Sequence, residues 1–235
     1  MGRMSKEATT AILKRAQKEG RSYVLEPEVK EIMASYGVPV TKERVCTSVE
    51  EAKQAAAEIG YPVVAKIVSP QVVHKSDAGG VVIGISSAAE MEAAYHAILK
   101  NVRAADPKAE VRGVLVGEMS KGEEIIVGSI NDEQFGQVMM FGIGGIFVEI
   151  YKDVAYRLVP LEPIDAREMI EEIKGYPLLT GARGRAPVDL PSLQQTLLNI
   201  SRFLNDFPDI KEMDLNPVFV SERGVKVADG RIILG

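Results

Sequence analysis

Between residues 111 and 160 the chain presents four strand signals in succession, Val111–Met119, Glu123–Ile130, Gln137–Gly142 and Val154–Pro160, with no helical period among them. The part before them is organised differently. Apolar residues at helical spacing predict a helix over 5–19. A second helix starts at Leu25-Glu26-Pro27 and stops before Gly37. A short strand from Pro39-Val40-Thr41 reaches Cys46. Ser48, with Glu51 three residues on, caps a helix that ends at Gly60. Pro62–Val68 is a strand, Ser69–Gly80 a loop and Val81–Ile85 a strand, and Ser87 caps a helix over roughly 88–103. After the four strands come a helix following Pro163, a longer one following Pro191, and two last strands, Met213–Val220 and Gly224–Leu234. A change of pattern near residue 110 predicts two lobes with a cleft, the kind of place where ligands sit.

The 235 residues are 46% hydrophobic and 26% charged, which is enough to bury a sizeable core. A net charge of −5 gives no general attraction to nucleic acid or anionic lipid. One cysteine, Cys46, excludes an intrachain disulfide framework, and two histidines, His74 and His96, leave no room for a His-rich zinc site. No apolar run reaches membrane-spanning length and residues 1–6 lack a signal-peptide core, so the expected compartment is the cytoplasm.

Lys66 lies in mid-strand and shares a face with Val64 and Val68. It is either a phosphate ligand or a lysine reaching solvent from an edge strand. The loop Ser69–Gly80 holds His74, Lys75, Ser76, Asp77, Gly79 and Gly80: an imidazole able to accept a phosphoryl group, charge to hold it, and glycines whose amides can approach phosphate. Taken alone, a polar surface loop explains it as well. His96 is read as a surface residue of a helix. Phe141–Phe147 fails as a dinucleotide fingerprint, because Phe147 stands where the third glycine should be, but Gly144 and Gly145 can form a tight turn facing a ligand. Glu118 and Glu124 flank a strand–turn–strand. Such a clamp can read adenine through its backbone and hold ribose hydroxyls by a carboxylate, or be plain solvated charge. Asp214 and Asn216 are two apart on a strand and share a face. If Ser221 pairs with Gly224 across a two-residue turn, counting outward sets Asn216 opposite Asp229, a good oxygen-ligand pair for Mg2+.

Together, Lys66, His74–Gly80, Glu118, Glu124, Gly142–Gly145, Asp214–Pro217 and Asp229 resemble an ATP-grasp domain. The narrower resemblance, from about Leu25 to Leu234, is to the β subunits of ADP-forming acyl-CoA (acetyl-CoA) synthetases, relatives of succinyl-CoA synthetase. Glu26–Lys30 and Tyr36–Val40 are similar to the start of that domain, and Ser76-Asp77 and Gly181–Arg185 also have a familial look. The resemblance implies an α/β (α+β) ATP-grasp fold of two lobes with the nucleotide cleft between them. Residues 1–24 would form a helical extension, 25–110 the first lobe and 111–235 the second.

By resemblance, Lys66 contacts nucleotide phosphate, Glu118 and Met119 hold adenine, and Glu124 lies near the ribose. Asn216 and Asp229 bind Mg2+, Asp214 steadies a phosphohistidine, and His74 is itself a second phosphohistidine. The implied cofactors are Mg2+ and ADP/ATP. The chain contains no CoA-binding Rossmann domain and no candidate for the first histidine of the relay, so a partner α subunit, in an α2β2 assembly, is expected to supply both. The implied reaction is acyl-CoA + ADP + phosphate ⇌ acid + CoA + ATP. His74 would ferry the phosphoryl group, Lys66, Lys75 and Mg2+ would neutralise charge, and Asp77 or Asp214 would fix the imidazole tautomer. The alternatives are another ATP-grasp carboxylate ligase, which needs no loop histidine, and a non-catalytic nucleotide-sensing module of an acyltransferase system.

Overall fold

The computed structural model describes residues 2–145, 152–184 and 186–235. In order they form α1 (Gly2–Lys18), β1 (Tyr23–Val24), α2 (Glu26–Ser35), β2 (Glu43–Cys46), α3 (Val49–Ile59), β3 (Val63–Val68), β4 (Val81–Ile85) and α4 (Ala88–Ala105). Then come β5 (Gly113–Glu118), β6 (Glu123–Asp132), β7 (Gly136–Ile143), β8 (Val154–Leu158), α5 (Pro163–Glu171), α6 (Tyr176–Leu179), a 3-10 turn (Ala182–Gly184), α7 (Leu190–Asp206), β9 (Ile210–Ser221), β10 (Gly224–Val227) and β11 (Arg231–Leu234). Among the described residues no helix is long and apolar enough to cross a membrane.

The chain divides into two compact units: Thr41–Met119, and Met1–Val40 together with Ser120–Gly235. The single cut expected near 110 is therefore replaced by two crossings. The reason is pairing. β5 joins β2 and β3 in an antiparallel sheet ordered β2-β5-β3-β4, so residues 111–119 belong with the segment before them. Val40 falls on the other side for a like reason: it bridges to Val227 instead of continuing into β2.

The small unit is that four-stranded sheet with α3 and α4 on one face. Cys46, Val63, Ala65, Ile67, Ile85, Val114 and Val116 pack against Ala52, Ala55, Ala56, Met91, Ile98 and Val102. Alternation leaves the other strand face to Lys66, Val64 and Leu115. The Ser48 and Ser87 hydroxyls accept from the Glu51 and Glu90 amides at 3.2 Å, which starts both helices where expected.

The larger unit is a seven-stranded antiparallel sheet, ordered β1-β11-β9-β6-β7-β8 with β10 paired to β9. Its core side is covered by α2, α5 and α7: Ile125, Val127, Phe141, Met213 and Leu215 meet Ile32, Met169, Leu197 and Phe203. The strand expected over Gly224–Leu234 is broken at 228–230 into β10 and β11.

The start of α2 rests on a buried ion cluster. Glu28 accepts from Arg21 at 2.7 and 3.0 Å, from Arg15 at 2.9 Å and from the Leu25 amide at 3.0 Å. Burial alone would raise the Glu28 pKa, but these donors hold it below the ordinary carboxylate value. A folded pKa below the unfolded one stabilises the fold above about pH 4.5, and that stability is lost as pH falls through the lower folded value. We therefore predict that Glu28→Gln, which removes the main carboxylate partner of the buried Arg21 guanidinium and leaves it Glu19 and the Tyr23 carbonyl, costs about 2 kcal/mol at pH 7. In denaturant titrations from pH 6 to pH 3, the gap between wild type and variant narrows as the pH falls.

Candidate functional site

Lys66 occupies the fourth position on β3, with Leu115 of β5 on one side and Val81 of β4 on the other. It is thus on an interior strand, which removes the edge-strand explanation, and it is only 8% exposed. A lysine so placed keeps its aliphatic stem among Val64, Leu115 and Val81. Glu118, by contrast, pairs with Val63 on the helix-covered face, opposite to the Lys66 face. Its amide donates to the Lys42 carbonyl at 2.9 Å. Met119 is the last residue of the small unit and is 36% exposed.

The loop from Ser69 to Gly80 links β3 to β4 and closes on itself. The amides of Ala78, Gly79 and Gly80 donate to the carbonyls of His74, Ser76 and Lys75 at 3.3, 3.0 and 2.7 Å. This corrects the expectation that the two glycines offer amides to phosphate: those amides are already used. What requires glycine is space. A Cβ on Gly80 would lie 2.6 Å from the Ile67 methyl Cγ2, and one on Gly79, where φ is +63, would lie 2.8 Å from Asn101 Nδ2. The loop therefore presents His74, Ser76 and Asp77 outward, all exposed, from a tightly bonded base. Among the described residues, Asp77 makes no hydrogen bond to the His74 ring. His96 is exposed on α4, as expected.

In the larger unit the register decides which side chains meet. Ser221 pairs with Gly224 and Val218 with Val227, the Asn216 amide donates to the Asp229 carbonyl at 3.2 Å, and Asp214 pairs with Arg231. The two-residue turn thus carries its register through the break in the last strand, and Asn216 does stand opposite Asp229. On the other side of β9, Asp214 pairs with Gly128 and Glu212 with Ile130. Between Ile125 and Val127 the register slips, so that Asn216 and Pro217 together oppose Ile126: a β-bulge at the expected metal-ligand position.

Alternation then places Glu212, Asp214 and Asn216 on the face away from the core, beside Arg231 and Asp229, while Met213 and Leu215 point inward. Glu124 is on the same face of β6 as Gly128 and Ile130. Its carbonyl accepts from the Gly144 amide at 2.7 Å, which ties the Gly144-Gly145 turn to it. Ile146, Phe147 and Arg185 lie outside the described residues.

Burial pushes the Asp214 carboxyl above the ordinary carboxylate range; Arg231 opposes the shift, and Glu212 and Asp229 add to it. The Arg231 guanidinium donates to Glu212 at 3.1 Å. Arg231 and Glu212 were not singled out in the sequence, although the same count outward from the turn pairs Arg231 with Asp214. A cation, carboxylates and an amide on one face can orient a phosphoryl group, and the neighbouring Asn216 and Asp229 offer oxygens of the kind a hard divalent ion takes.

The ATP-grasp domain family matches residues 15–234. The β subunit of acetate–CoA ligase [ADP-forming] I from Pyrococcus furiosus is 48% identical over 224 residues, 95% of this chain and 96% of that one. Acetyl-coenzyme A synthetase 1 of Ca. Korarchaeum cryptofilum, solved with coenzyme A and a nucleotide analogue, superposes with a TM-score of 0.92 at 48% identity, covering 96% of this chain and 99% of that chain. Two further structures of that enzyme superpose at 0.88 and 0.84, with 46% and 45% identity, each covering 97% of this chain and 100% of that one. One has a phosphorylated phosphohistidine segment in a site I orientation, and the other has that segment pointing towards the nucleotide-binding site. Succinate–CoA ligase [GDP-forming] subunit beta of Thermus thermophilus is 30% identical over 89% of this chain and 54% of its own length. The chain belongs to the ATP-grasp family, among the β subunits of ADP-forming acetate–CoA ligases.

Proposed function

We propose that the chain is the nucleotide-binding β subunit of an ADP-forming acyl-CoA synthetase, catalysing acyl-CoA + ADP + phosphate ⇌ acid + CoA + ATP together with an α subunit in an α2β2 assembly. The observation that carries this reading is 48% identity along nearly the whole chain to a subunit of that name. A subunit called β implies a partner, and in this reading the partner holds the CoA and acyl sites and the first phosphohistidine.

The exposed loop gives His74 its role. The lone pair of one imidazole nitrogen attacks the phosphorus carried on the α-subunit histidine. That P–N bond breaks and its electron pair returns to the α imidazole. An oxygen of the ADP β-phosphate then attacks the same phosphorus, the bond to His74 breaks with its pair returning to the ring, and ATP leaves. Phosphoryl transfer needs near in-line placement and charge neutralisation more than covalent chemistry. A mobile carrier meets the first need where donor and acceptor are apart.

Lys66 and Lys75 supply positive charge to the phosphoryl oxygens, and Asp214 receives the imidazole at the nucleotide side and sets its tautomer. Asp77, on the loop itself, travels with the ring. Glu124 holds the ribose. The backbone at Glu118 and Met119 holds the base, which suits a Glu118 side chain that faces away from Lys66. Gly144 and Gly145 keep a backbone turn against Glu124. The Asn216–Asp229 pair would hold Mg2+: it offers one amide oxygen and one carboxylate, and water and phosphate oxygens would complete the shell. When bound, Mg2+ supplies charge neutralisation at the nucleotide phosphates.

Two outcomes follow. His74→Ala abolishes ATP formation in the reconstituted enzyme, by at least about a thousandfold, while calorimetry finds ADP affinity within about twofold of wild type; wild-type-like turnover would remove the relay. Asp229→Ala weakens ADP binding about tenfold or more in millimolar Mg2+, the scale of one lost charged-group contact, and leaves binding in excess chelator unchanged.

A further inference from the structure

Two groups outside the His74 segment hold its ends. At the start, Gln71 Oε1 accepts from the Glu110 amide at 3.0 Å, and the next residue, Val72, packs against the apolar core of the small unit. At the end, the side chain of Asn101 on α4 donates from Nδ2 to the Gly79 carbonyl at 3.2 Å and fills the space a Cβ of Gly79 would take. Residues 73–78 lie between these anchors. The Ala78 amide bonds back to the His74 carbonyl, and the Gly79 and Gly80 amides bond to the Ser76 and Lys75 carbonyls, so the segment is folded into one piece. The two anchors differ in kind. The first combines a hydrogen bond with buried apolar contact. At the second, beside the amide bonds of Gly79 and Gly80 within the loop, the contact to α4 is one exposed side-chain hydrogen bond at a residue of positive φ, which a modest rotation can break.

We infer that Asn101 is a positioning residue that latches the His74 segment at Gly79, so that making and breaking this one contact sets how the segment divides its time between two orientations. The inference rests on the reading of His74 as a travelling carrier, and it adds to that reading the place where travel is controlled. The Gln71–Val72 end is the pivot and the Gly79–Asn101 end is the catch. Neither residue touches the phosphoryl group. An exposed hydrogen bond of this type accounts for a population ratio of about three to ten.

The test is made on the assembled αβ enzyme with a nitroxide at position 76, introduced by Ser76→Cys. Ser76 is exposed and Cys46, the one native cysteine of this chain, is fully buried, so the chain is labelled selectively by itself before assembly with the α subunit. In the paramagnetic resonance spectrum Asn101→Ala raises the ratio of mobile to immobile label about three- to tenfold. Asn101→Gln, which keeps a donor, restores part of the difference. Gly79→Ala, which displaces the Asn101 amide, moves the ratio in the same direction. Unchanged spectra in all three variants overturn the latch. The same variants without label are then followed by rapid quench through both half-reactions, phosphorylation of His74 by ATP and phosphorylation by the α subunit. A latch alters the ratio of the two rate constants by a similar factor, whereas a purely structural defect lowers both together. A shifted spectrum with no phosphate ever reaching His74 supports the latch and instead overturns the carrier reading.

Discussion

The pairing of β9 with β10 and β11 fixes the chemistry available to the larger unit. In a sheet, side chains alternate with a period of two, so a slip of one residue would turn Asp214, Asn216 and Asp229 into the core and Met213 and Leu215 out to solvent. The apolar inward residues hold the register from one side, since burying each of them contributes roughly 1.5–3 kcal/mol. The two-residue turn at Ser221–Gly224 holds it from the other. The acidic residues inherit their shared face from this pairing, and the bulge at Asn216-Pro217 re-aims the strand beside the proposed Mg2+ pair.

The small unit solves a different problem, which is to carry charge on a flat apolar sheet. Lys66 is tolerated on an interior strand because its stem covers apolar neighbours. The β3–β4 connection is held by amide bonds within itself and by side-chain and backbone bonds at Gln71 and Gly79 to Glu110 and Asn101. Glycine at 79 and 80 serves close packing against Asn101 and Ile67, and this tight base leaves the tip, with His74, projecting outward.

Much of this was legible in the sequence, and for local reasons. A two-residue turn determines pairing for as long as the strands last, so the opposition of Asn216 and Asp229 followed from counting. A lysine flanked by valines in a strand announces its face. Ser48 and Ser87 mark helix starts because a hydroxyl can take the orphaned amides. The rest depends on partners distant in sequence. That β5 belongs with β2 and β3, and Val40 with Val227, is decided by non-local pairing that no local pattern encodes. The break at 228–230 and the slip opposite Ile126 are irregularities that a count of alternation passes over. The helix-side placement of Glu118 follows from the β3–β5 register, and the Asn101 contact joins residues 22 apart that have no shared motif.

The central claim is that position 74 carries phosphorus into the nucleotide site. The most direct measurement is to load the αβ enzyme from its acyl-CoA and phosphate side, quench in alkali, and map the phosphate by mass spectrometry before and after adding Mg2+ and ADP. The account predicts a base-stable, acid-labile phosphate on His74 that disappears as a stoichiometric amount of ATP appears. Steady ATP formation with no phosphate ever found at His74 would contradict it.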